Sequence, residues 1–248
     1  MRDSDFRFCS LLFSLSLLLL VAGCQKKNEP GSSTPFRIEA VESSLDSTIP
    51  VVEIASPVND EIVSNDFSVY FASAGMKTAD RSEHLHFMLD DGDIIEHFES
   101  NSPLNFTDIP DGQHMIRVFA VKEDHTSYKS ENSTDMVIFY VNERKGKLLI
   151  EKNRPMLFLN IPSGNYEYVG DDSVLLDFWI SNAKLGLYDY QVGYTLDGHE
   201  GTLSLWKTYA IKGLTEGKHK LILDLIDPNG KSVLGNFNHT VRTFNITK

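Results

Sequence analysis

Gly112-Gln-His-Met-Ile-Arg-Val-Phe-Ala-Val121 and Gly217-Lys-His-Lys-Leu-Ile-Leu-Asp-Leu-Ile226 are two versions of one strand, set 105 residues apart. In each, Gly-x-His opens a run with an apolar residue at every second position: Ile116, Val118 and Ala120 in one, Leu221, Leu223 and Leu225 in the other. That period of two belongs to a β-strand with one face in a core. The same shift superimposes Pro57 on Pro162, Ile109 on Leu214, Phe139 on Phe244 and Val141 on Ile246. A constant offset with no net insertion argues for a duplicated domain. Two copies are too few for a solenoid, so each is expected to own its core.

Working outward, both copies read as β. The first has short apolar or alternating runs at Phe67–Phe71, His84–Leu89, His114–Val121 and Met136–Val141, punctuated by Asp90-Asp-Gly92 and Pro110-Asp-Gly112. The second has them at Val174–Ile180, Val192–Leu196, Thr202–Ala210, His219–Ile226 and Thr240–Ile246, with Asp197-Gly198 and Asp227-Pro-Asn-Gly230 as turns. Strands divided by turn residues, without long helical periods, predict an all-β chain. About seven strands in about 90 residues is the size of an immunoglobulin-like or fibronectin-like sandwich. The expected organisation is therefore two tandem β-sandwiches, residues 50–142 and 155–248. The join at 143–154 carries Arg144, Lys145, Lys147, Lys152 and Arg154 and reads as a solvated linker.

Ahead of the first copy, Arg2 and Arg7 precede an apolar stretch from Phe8 to Val21 that is too short to span a bilayer. It closes on Val21-Ala22-Gly23-Cys24, which resembles the lipobox of bacterial lipoproteins. The resemblance implies a signal peptide at 1–23, cleavage before Cys24, and acylation of that cysteine. It also implies a cell-envelope address, at the outer membrane in a Gram-negative host because Gln25 follows the cysteine. The polar segment 24–49, with Pro30, Gly31 and Pro35, reads as a disordered tether. With Cys9 lost and Cys24 lipidated, no thiol is left for a disulfide or a nucleophile. A net charge of −12 disfavours nucleic acid as a partner. The body also resembles bacterial Ig-like lipoproteins, on Leu89-Asp-Asp-Gly92 with Gly112-Gln-His114 and on Leu196-Asp-Gly198 with Gly217-Lys-His219. That resemblance implies tandem sandwiches at a cell envelope and carries over no catalytic residue.

The repeat is an internal control: what both copies share is expected to serve the fold. His114 and His219 are shared, and read as structural. His84 and His86 are not, since Gln191 and Gly193 stand opposite them. By alternation Leu85, Phe87 and Leu89 face the core, so His84, His86 and Met88 are expected to look outward. Asp124 and His125, in the loop after the Ile116–Val121 strand, are placed to approach them. Imidazoles in that number suit copper or zinc, making His84, His86 and His125 the candidate metal ligands. Asp90, Asp91 and Asp93 lack the spacing of a calcium loop and read as a hairpin turn. No hydrolase elbow, zinc-protease motif or phosphate loop occurs, so no catalytic residue is assigned. The expectation is a non-catalytic, lipid-anchored binding or spacer module for a protein or glycan, with a metal-binding lipoprotein as the alternative and an envelope hydrolase third.

Overall fold

A computed structural model describes residues 35–42, 48–77, 81–99, 102–145, 153–167 and 173–247. The leader, Cys24 and most of the join lie outside the described residues. Within them the chain is all-β apart from one 3-10 turn at Glu131–Ser133, as the alternation predicts. β1 (Arg37–Ala40) comes first. The first copy holds β2 (Val51–Ser56), β3 (Ile62–Val63), β4 (Phe67–Ala74), β5 (His84–Leu89), β6 (Ile95–His97), β7 (Leu104–Phe106), β8 (Gly112–Val121) and β9 (Thr134–Val141). The second holds β10 (Met156–Ile161), β11 (Gly164–Glu167), β12 (Ser173–Ser181), β13 (Gln191–Leu196), β14 (His199–Leu203), β15 (Tyr209–Lys212), β16 (Gly217–Ile226) and β17 (His239–Thr247).

Each copy is a two-sheet sandwich. The first sets β2-β4-β7 against β3-β9-β8-β5-β6; the second sets β10-β12-β15 against β11-β17-β16-β13-β14. The repeated strand keeps its register: Gly112 pairs with Val141 and His114 with Phe139, as Gly217 pairs with Ile246 and His219 with Phe244. The cores are separate. Val69, Phe87, Ile116, Val118 and Phe139 centre the first, and Leu176, Phe178, Leu221, Leu223 and Phe244 the second.

Two departures from the sequence-based expectation shape the molecule. The first concerns the tether. Arg37–Ala40 is not spacer but a strand, laid antiparallel along β15 of the second sandwich with Ile38 opposite Ile211. Phe36, Ile38 and Ala40 alternate and rest on the second core, and the Phe36 ring stacks on His199 at 4.0 Å. Three apolar positions among polar neighbours are enough to cover an open sheet edge. From β1 onward the described chain therefore starts on the second sandwich, builds the first, and returns.

The second departure is that the sandwiches are docked through side chains. Met115, Met136 and Ile138 of the first pack with Met156, Phe158 and Phe237 of the second in a third apolar cluster, with Trp179 beside them. Arg117 is fully buried there, its guanidinium 4.5 Å from the Phe119 ring, 4.9 Å from Phe158 and 5.9 Å from Trp179. Burial lowers it to about 9, far enough above neutrality for it to stay charged. Beside this cluster Asp177, at 0% exposure, accepts from four side chains: Ser127 and Lys129 of the first sandwich, and Asn160 and Thr208 of the second. Burial alone would push its carboxyl up; the Lys129 ammonium and the hydrogen bonds outweigh that and hold it below the usual carboxylate range.

Candidate metal centre

The joint settles which way the histidines of β5 look. Expected on a solvent face, His84 and His86 are each only 2% exposed. The sheet face they share with Met88 is the one that meets the second sandwich, and the Met88 sulfur accepts from the Arg117 Nη2 at 3.5 Å. Alternation correctly separated core from non-core residues. It could not report that the second face would also be covered.

Four side chains from three elements converge there. β5 supplies His84 and His86. β6 supplies Glu96, directly across the ladder from His86. The loop between β8 and β9 supplies His125, in a left-handed backbone conformation at φ 62°. That loop is a tight turn: the Lys122 amide donates to the Thr126 carbonyl at 3.0 Å, the His125 amide to the Lys122 carbonyl at 2.9 Å, and the Thr126 amide and hydroxyl to the Asp124 carboxylate. Asp124 thus shapes the loop and only His125 reaches the cluster. One nitrogen of each histidine and one Glu96 oxygen all lie within 4.8 Å of one another.

The separations suit coordination. The Nε2 atoms of His84 and His86 face each other at 3.0 Å, and His125 Nδ1 lies 3.3 Å from His86 Nε2. Ligands at the usual zinc–nitrogen distance in a tetrahedron sit about 3.3 Å apart. Glu96 Oε1 is 3.6 Å from His125 Nδ1. His125 and Glu96 are each nearly half exposed, so the adjustment needed to close a shell falls on the side chains free to make it.

The electrostatics keep the donors available. Burial, then the neighbouring His84 and His125, push His86 down to about 3, and burial first and His125 second lower His84 as well. Metal ligation needs the neutral imidazole, so both rings stay competent without shedding a proton. Around them, His84 stacks on Phe98 at 4.4 Å, Phe98 carries the Arg81 guanidinium at 4.0 Å, and His86 meets Phe119 edge-on at 5.4 Å. The Nδ1 atoms of His84 and His86 are buried without a partner among the described residues.

The other candidates resolve structurally. His114 Nδ1 bonds Asp90 at 2.8 Å and its Nε2 meets the Pro110 carbonyl at 2.8 Å; His219 repeats this with Asp197 and the Thr215 carbonyl. Asp90 is thereby engaged, and Asp91 faces Arg242 at 3.4 Å. Among the described residues the second copy has no counterpart to the site, because Gln191 and Gly193 stand where the first has His84 and His86. Glu96 was not anticipated. Its signal was the turn at Asp90-Asp-Gly92, which folds β6 back on β5 but does not by itself fix the register.

No protein-family model and no curated protein sequence matches this chain. Among solved structures it is similar to the fibronectin(III)-like modules of CbhA from Clostridium thermocellum. That match has 16% identity and a TM-score of 0.30, covering 79% of this chain and 94% of that one. It is also similar to the central fibronectin-III array of RIM-binding protein, at 11% identity and a TM-score of 0.28, covering 81% of this chain and 69% of that one.

Proposed function

We propose that this chain is a non-catalytic envelope module, held to a membrane through Cys24, whose first sandwich binds a zinc or copper(II) ion through His84, His86, His125 and Glu96. The observation that carries this reading is the convergence of three imidazoles and a carboxylate within 4.8 Å, two of the rings buried and held neutral. Imidazole with carboxylate and no thiolate suits these two metals. Four protein ligands fill a tetrahedral shell and leave no open position for a substrate, which favours holding an ion over hydrolysis.

The test is calorimetric titration of the full chain, purified in detergent from the membrane fraction that Cys24→Ala is expected to leave. Zinc should bind at one ion per chain. His86→Ala should weaken it by more than about 100-fold, beyond what loss of an outer-sphere partner costs. Equal affinity in wild type and in a His84→Ala, His86→Ala double variant would overturn the reading.

A further inference from the structure

We propose that an ion at this centre locks the joint between the two sandwiches, so that metal occupancy and docking of the second sandwich are linked. The inference rests on the metal-binding reading above and adds what the ion does.

The linkage is built into one short segment. His125 supplies a ligand. Two residues later the Ser127 hydroxyl donates to Asp177 Oδ2 at 2.6 Å, and Lys129 reaches both the Asp177 carboxylate and, at 2.9 Å, the Phe178 carbonyl. Asn160 of the second sandwich closes the cluster by donating to Ser127 at 3.3 Å and to Asp177 at 2.7 Å. Between ligand and grip there is little slack. The turn is pinned from Lys122 to Thr126, Ser127 bridges to Val121, and the Tyr128 amide donates to the Ala120 carbonyl at 3.2 Å. An ion that fixes His125 therefore fixes the backbone from which Ser127 and Lys129 extend.

A second path runs through packed rings. His86 lies against Phe119, Phe119 against Arg117, and Arg117 against Phe158 and Trp179 of the second sandwich. Close-packed groups of this kind move between discrete arrangements instead of deforming smoothly. The site is also asymmetric: its two β5 ligands are buried and held by the strand, while His125, on the loop, is 43% exposed. The ligand with most freedom to lose on binding is thus the one attached to the joint. Ordering it once serves both events, and by reciprocity docking strengthens metal binding by the same factor as metal strengthens docking.

The experiment uses the full chain in detergent with zinc as the probe. Ser127 and Asp177 are outside the ligand set, yet Ser127→Ala and Asp177→Asn should each weaken zinc by about fivefold or more. Ser127→Ala is the milder change and guards against a folding defect in Asp177→Asn. In the wild type, zinc should slow amide hydrogen exchange at residues 127–130 and across the joint at 176–179. A wild type that binds zinc while Ser127→Ala matches its affinity and exchange at 176–179 is unchanged overturns the coupling alone. A wild type that binds no zinc overturns the metal reading and the coupling with it.

Discussion

At the scale of single residues, the two Gly-x-His strands show what a repeated histidine is for. His114 is bonded through both ring nitrogens, to Asp90 and to the Pro110 carbonyl, while the other Asp90 oxygen accepts from the Met115 amide at 2.9 Å. One carboxylate thus ties the β5 turn to the start of β8, and His219 with Asp197 does the same in the second copy. The hydrogen bond to Asp90 raises His114 above its usual value of 6.5, against the opposing pull of burial. A raised folded-state value contributes stability that is fully present below the unfolded value and is lost as pH rises through the folded one. Asp90→Asn keeps an oxygen for the Met115 amide and removes the charge, so it should cost most near pH 6 and least near pH 9. The difference is about 1 kcal/mol, or roughly 2–4 °C in melting temperature for a chain of this size. Melting curves at the two pH values check this, and a Tm deficit that does not shrink with rising pH would refute it.

At the scale of elements, the strands were legible because each copy restates the other, and a period of two survives even where side chains diverge. Two things were not legible in that pattern. The exposure assigned to His84 and His86 assumed that a sheet face opposite the core meets water. The warning lay in β8 and β9, where Met115, Phe119, Met136 and Ile138 make the second face apolar as well, while the matching face of β16 carries Lys218, Lys220 and Asp224. A strand apolar on both faces is one covered on both sides. The other was β1, whose Phe36, Ile38 and Ala40 are too few to stand out among polar neighbours and gain their meaning only from a sheet edge far away in sequence. Ile38→Asp tests what that strand contributes. It replaces the apolar side chain that rests on the second core, opposite Ile211, with a charge, and should cost about 1–3 kcal/mol. It should also bare the β15 edge to pairing with other copies. Denaturant midpoints and light scattering read both effects; an unchanged midpoint would mean that β1 rests on the second sandwich without stabilising it.

At the scale of the whole molecule, the first sandwich is held to the second from both directions: β1 anchors the chain entering it, and the apolar joint with the Asp177 cluster holds its outer sheet. Tandem sandwiches joined only by a linker would unfold independently. Here six large apolar side chains, Met115, Met136, Ile138, Met156, Phe158 and Phe237, are all buried in one cluster drawn from both copies. Full burial of one such side chain stabilises by about 1.5–3 kcal/mol, and even a fraction of that across six is comparable with the 5–15 kcal/mol by which an average domain is stable. Neither sandwich should therefore outlast the other, and calorimetry of the wild type should show one cooperative transition. Phe158 is the residue to change, because its ring touches Trp179, Phe237 and the buried Arg117 together. Phe158→Ala leaves a cavity under that guanidinium and should cost about 3–5 kcal/mol. With the joint weakened, the heat-capacity trace should broaden or split into two transitions, the earlier one accompanied by a change in tryptophan emission, since Trp179 lies beside the joint. Two resolved transitions already present in the wild type would show that the joint is too weak to couple the sandwiches. The linkage between metal and docking would then have no cooperative unit to act on.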